Sequence, residues 1–155
     1  MCELVPFERD HGEGVIEVVR SIFDEYGFTW EADGYCRDLY APEDYYMRPG
    51  GMFWALLDEG RVIGCVGVLI DGPNSELHRM YLHRDRRGRG LGRRLLEATM
   101  DYARRRGCVV MRAWSDVKLK DAHGLYLKMG FERRGERICD DPDDSREYGF
   151  WKEPL

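Results

Sequence analysis

The chain predicts a mixed α/β fold: one domain with a sheet of about seven strands flanked by helices. Three observations lead there. Apolar residues recur at helical spacing in two long segments, apolar or alternating runs typical of strands fill the shorter ones, and all follow one another without repeat or linker. A chain of 155 residues that is 43% hydrophobic can bury a single sizeable core.

Taken in order, Cys2 to Phe7 reads as a first strand. Gly12 to Tyr26 reads as a helix, because Val15, Val18, Val19 and Ile22 share one face. Residues 27 to 51 show no regular period. Met52 to Leu57 and Arg61 to Ile70 are strands joined by the turn Asp58-Glu59-Gly60, and Ser75 to His83 is a fourth. From Gly90 to Arg106 a helix turns Leu95, Leu96, Thr99, Tyr102 and Ala103 one way and Arg93, Glu97, Asp101 and Arg104 the other, until Gly107 ends it. Val109 to Trp114 is the fifth strand. Asp121 is expected to cap a short helix running to Met129, Gly130 stops that helix, and a sixth strand begins at Phe131. Glu147 to Lys152 is the last strand, preceded by an acidic loop, Asp140-Asp141-Pro142-Asp143-Asp144.

A net charge of −5 argues against nucleic acid as a partner, although arginines cluster between Arg84 and Arg94. That cluster reads better as a phosphate site. Cysteines 2, 36, 65, 108 and 139 are scattered without metal-ligand spacing, so reduced thiols in a cytoplasmic protein are expected, and no metal. Cys65 and Cys108 lie in apolar strand patterns and read as buried, inert thiols. No apolar run reaches membrane-spanning length and the start lacks a signal-like core, so a soluble protein with no membrane partner is expected. A homodimer is left open.

The most informative stretch is Arg87-Gly88-Arg89-Gly90-Leu91-Gly92, which follows the strand Glu76 to Leu82 and opens into the amphipathic helix. Glycines allow a tight turn, free N–H groups at the helix start point outward, and the helix dipole adds positive potential. Arg87, Arg89 and Arg93 add fixed charge for phosphates. A P-loop would need Gly-Lys followed by Ser or Thr, which is absent. A dinucleotide fingerprint would want glycine where Arg93 stands and an acid after the next strand, for which Asp116 is a poor substitute.

Arg-x-x-Gly-x-Gly after Glu76-Leu77-His78-Arg79-Met80-Tyr81-Leu82, with Leu125-Tyr126-Leu127-Lys128-Met129-Gly130-Phe131 about thirty residues on, resembles the GNAT superfamily of N-acetyltransferases. The likeness covers residues 53 to 131, and Glu147 to Lys152 suits that family's last strand. It implies a mostly antiparallel central sheet, acetyl-CoA as cosubstrate and an amine acceptor. It also implies that the glycine-arginine loop (Arg87 to Arg93) holds the pyrophosphate, while backbone groups of Met80, Tyr81 and Leu82 hold the pantetheine arm and polarise the acetyl carbonyl. One position departs from the pattern: Leu119 stands where an asparagine often precedes the tyrosine, and His123 or Asp121 are the alternatives for that contact.

Amine acetylation needs an acid for the departing thiolate and a base for the nitrogen. Tyr126 is the expected acid, since a phenol with a pKa of about 10 is protonated at neutral pH and able to donate. The resemblance places this tyrosine beside the sulfur; packing beside Ala122, Leu125 and Met129 is the plainer role. Strand alternation puts Glu76, His78, Met80 and Leu82 on one face, with Glu76 the first choice of base, as in family members that acetylate protein lysines. His78 is the second choice and a water relay the third. Between Asp24 and Tyr46, acids interleaved with aromatics such as Tyr26, Trp30, Tyr35 and Tyr46 suit a cationic acceptor, or else a solvated loop with aromatic anchors. The alternative function is a module of the same fold that binds acyl-CoA without turnover.

Overall fold

A computed structural model describes residues 1–155. Seven strands form one sheet: β1 (Cys2–Pro6), β2 (Met52–Asp58), β3 (Arg61–Asp71), β4 (Asn74–Leu82), β5 (Val110–Asp116), β6 (Glu132–Ile138) and β7 (Arg146–Lys152). Their spatial order is β1-β2-β3-β4-β5-β7-β6, and every neighbouring pair is antiparallel except β4 with β5. Three α-helices accompany the sheet: α1 (Gly12–Tyr26), α2 (Leu91–Arg105) and α3 (Lys120–Lys128). Each element expected from the sequence is present, with ends displaced by at most two residues and those of α1 not at all. No helix is long and apolar enough to cross a membrane.

Alternation along β2 explains the two cores. Phe53 and Ala55 point to one face and pack with Val15, Val19 and Ile22 of α1, while Trp54 and Leu56 point to the other and pack with Leu95, Leu96 and Ala103 of α2. The sheet is therefore covered on both faces. Between α1 and β2 the irregular segment holds a 3₁₀ turn, Arg37–Tyr40, and a π turn, Glu43–Met47, anchored by buried Leu39 and Tyr46 in the α1-side core.

Two irregularities position the site. β4 and β5 pair only from Asn74–Val110 to Leu77–Ala113 and then part, which leaves the β5-facing backbone of residues 78–82 without a strand partner. The second is a bulge in β4: Cys65 opposes Tyr81 and Gly67 opposes His78, so Arg79 and Met80 share the space opposite Val66. Arg79 takes the left-handed conformation there, with φ 51°.

That bulge corrects the expected alternation. An extra residue inverts the side-chain sequence, so Met80 and Leu82 pack with Leu77 on the α2 side, whereas Tyr81 packs on the α1 side and His78 lies against Tyr46. Glu76 and His78 do not share a face with Met80 and Leu82. A second correction concerns α3, which begins after Leu119 with no side-chain cap. Asp121 lies in the first turn instead, where its charge suits the dipole.

Candidate active site

Two clefts meet where β4 and β5 part. One, about 710 Å³, opens between β4, β5, residues 31–46 and the β6–β7 loop. The other, about 610 Å³, runs along the start of α2 and past α3. Met80, Tyr81, Leu119 and Ala122 line both, so a ligand in one can touch a ligand in the other.

The groove beside α2 is shaped for an anion. Gly88 and Gly90 have φ of 79° and 77°, and a Cβ at either would meet nothing within 4 Å, so glycine is favoured there by conformation rather than by space. α2 starts after Gly90 with no side-chain cap, which leaves first-turn N–H groups available to an anion. Met80, Tyr81, Leu82, Arg87, Gly88, Gly90, Gly92 and Arg93 all line the groove. Leu91 instead turns into the core, and Arg89 is exposed outside the lining. Arg87 donates to both carboxylate oxygens of Glu25 at 2.8 and 2.9 Å and to the Leu82 carbonyl at 3.3 Å, so it fastens the loop to α1 and β4. Lys120 and Lys128 also line the groove. Sequence reasoning missed them, although Lys128 stands inside the quoted Leu-Tyr-x-Lys motif.

The wider cleft carries the reactive side chains. Tyr126 lines it at 4% exposure, its ring 5.7 Å from Phe131 and 5.1 Å from Phe150. Burial pushes its phenol well above the ordinary range, so it enters any reaction protonated. Glu76 also lines the cleft, with Oε1 2.9 Å from His78 Nε2 and Oε2 accepting from Arg112 Nη2 at 3.2 Å. The bond to His78, reinforced by the charge of Arg112, outweighs burial and lowers the carboxyl pKa. A carboxylate so held binds a cation more readily than it takes a proton.

Charge in this cleft is predominantly negative. Asp38, Glu76 and Glu147 are paired with Arg79, Arg112 and Arg137, whereas Glu31, Asp116, Asp140 and Asp141 line it with no ion pair. The acidic β6–β7 loop is fastened across the opening: Thr29 donates from its N–H and hydroxyl to the Asp143 carboxylate at 2.7 and 2.6 Å.

The sequence profile described as the Acetyltransferase (GNAT) family matches residues 17–131. The chain belongs to the GNAT acetyltransferase family. It is therefore an acetyl-CoA-dependent acetyltransferase, as the sequence resemblance implied. The chain is similar to the N-acetyltransferase YjgM of Escherichia coli, 33% identical over 124 residues, 76% of this chain and 74% of that one. It is also similar to an IAA acetyltransferase of Azospirillum brasilense, 34% identical over 114 residues, 68% of this chain and 74% of the other. Among solved structures, a GNAT acetyltransferase of Staphylococcus aureus Mu50 shares the fold, with TM-score 0.88, 21% identity and full coverage of both chains. The yncA protein of Salmonella typhimurium, solved with acetyl-CoA, shares it at TM-score 0.77 and 19% identity over 99% of this chain and 94% of its own.

Proposed function

We propose that this GNAT acetyltransferase moves the acetyl group of acetyl-CoA to a primary amine of a small molecule or peptide, by direct attack within a ternary complex. The single observation behind this reading is the junction of an anion-binding groove and an acidic cleft at Met80, Tyr81, Leu119 and Ala122, with Tyr126 lining the acidic side.

In this reading the diphosphate of acetyl-CoA lies at the start of α2, among Gly88, Gly90 and the basic side chains. The thioester arm follows the β4 edge that β5 leaves unpaired, where backbone groups of Met80 to Leu82 hold it and polarise the carbonyl. Unpaired acids and the aromatic lining draw a cationic amine into the wider cleft, and Glu76 binds its charge. The ammonium sheds one proton to water, and the free amine forms the C–N bond to the carbonyl carbon. As the C–S bond breaks, Tyr126 gives its hydroxyl proton to the thiolate, and a base takes the second proton from nitrogen. We place the protein in the cytoplasm, where its five free thiols would stay reduced.

The test is acetyl-CoA consumption across polyamines, amino acids, aminoglycosides and lysine peptides, with mass spectrometry of the products. An acetylated amine supports the reading. Tight CoA binding with no turnover on any amine would instead identify a non-catalytic binding module.

A further inference from the structure

Amine acetylation needs a proton acceptor, and Glu76 is already committed to His78 and Arg112. Another basic group stands behind the wall of the same cleft. Ser115, on the part of β5 that has left β4, lines the cleft together with Tyr126 and is 6% exposed. Its Oγ is 3.0 Å from Nε2 of His123, which lies on α3 three residues before Tyr126. The imidazole does not line the cleft. It packs 4.9 Å from Phe150 and 5.7 Å from Tyr148, so the serine hydroxyl is its contact with the reacting space.

We infer that Ser115 and His123 form the proton exit for the acceptor nitrogen. As the C–N bond forms, the nitrogen passes a proton to Ser115 Oγ while the Ser115 hydroxyl proton moves to His123 Nε2. The serine is restored, the imidazole becomes imidazolium and Tyr126 is left as the phenolate. Loss of the imidazolium proton to solvent and uptake of one proton by the phenolate then return the site to its starting state and close the proton balance. An amine nitrogen bonded to the acyl carbon is far more acidic than a free ammonium, so a base of modest strength suffices. The surroundings agree: burial lowers the imidazole's proton affinity, the backbone and carboxylate of Asp116 on β5 oppose that, and Arg133 on β6 adds to it. With Tyr148 on β7, these are the titratable and charged groups facing the ring from the packed elements. The net effect keeps it neutral and receptive at neutral pH.

This inference rests on the amine acetylation proposed above, and two measurements separate the fates of the two. Nitrogen-15 NMR of the imidazole should show the Nδ1–H tautomer, with Nε2 accepting from Ser115, and a changed Nε2 signal in Ser115→Ala. An Nε2–H tautomer in the unmodified protein would overturn the relay whether or not any amine reacts. With a reactive amine, Ser115→Ala and His123→Gln should each lower kcat by about tenfold or more at unchanged KM for acetyl-CoA. His123→Gln should also remove from the kcat/KM profile the step that lies below the ordinary imidazole range, leaving the limb of the amine's own ionisation, and Ser115→Thr, which keeps the hydroxyl, should retain most activity. A folded His123→Gln variant with near-normal kcat and that lower step intact overturns the relay while leaving the acetylation standing.

Discussion

Asp38 and Arg79 form a bidentate ion pair in the lining of the wider cleft, with Arg79 Nε 3.0 Å from Oδ2 and Nη2 2.8 Å from Oδ1. The pair ties the 3₁₀ turn after α1 to the bulge of β4, the strand whose edge β5 leaves unpaired beyond Leu77. Arg79 also donates to the Tyr35 carbonyl at 2.6 Å and lies 4.6 Å from the centre of the Tyr35 ring, while the Tyr46 hydroxyl donates to Asp38 at 2.5 Å. Only 7% of the Arg79 side chain and 14% of the Asp38 side chain are exposed, so water is a poor substitute partner for either charge.

Asp38→Asn should therefore destabilise the fold by about 3 kcal/mol, the scale of stranding a buried charge. Burial alone would raise the Asp38 pKa, but the Arg79 and Tyr46 hydrogen bonds and the Arg79 charge outweigh it, and the net shift is downward. A depressed carboxyl contributes in full above its unfolded pKa of about 3.9 and loses that contribution as pH falls through the folded value. Urea unfolding should show a constant gap between the two proteins from neutrality to about pH 4 and a shrinking one below it. Equal stability at pH 7 would contradict this account of the pair.

Gly90→Asp should weaken CoA binding by more than about tenfold while leaving the fold intact. The position is open, so the new side chain displaces nothing, but its left-handed backbone costs any side chain about 1–2 kcal/mol. Gly90→Asn carries that cost without the charge and is the reference for the negative charge added at the start of α2. Calorimetry with CoA and circular dichroism give the two readouts. Unchanged affinity in a folded variant removes the loop from the cofactor site.

Glu76→Gln separates binding of the cationic acceptor from chemistry. The acceptor KM should rise by about tenfold or more, since a charged hydrogen bond is worth about 1.5–3 kcal/mol, while kcat changes less than KM. Added salt should weaken a cationic acceptor more than a neutral analogue. Turnover of anionic acceptors alone would refute the acidic-cleft reading.

How much of this was visible in the sequence depended on distance along the chain. Val15, Val18, Val19 and Ile22 announce α1 because a helical stripe is local, and Asp58-Glu59-Gly60 announces its hairpin for the same reason. The glycine loop and Tyr126 were legible through their motifs. The bulge at Arg79 was not, because β4 alternates plausibly on its own and only its pairing with Val66 reveals the extra residue. Asp121 looked like a cap, but α3 had already begun at Lys120. The Glu76–Arg112, Asp38–Arg79 and Ser115–His123 contacts join separate elements, and no local spacing encodes them.

Steady-state kinetics of Tyr126→Phe, with the amine that the acceptor screen identifies, tests the assignment of chemistry to this site most directly. The substitution keeps the ring against Phe131 and Phe150 and deletes only the proton. With Tyr126 as the acid, kcat falls by about a hundredfold or more and CoA affinity barely changes. Because burial keeps the phenol protonated well above the ordinary range, the loss is the same across the assayable pH range. Unmodified kcat in a folded Tyr126→Phe variant would show that the thiolate takes its proton from elsewhere.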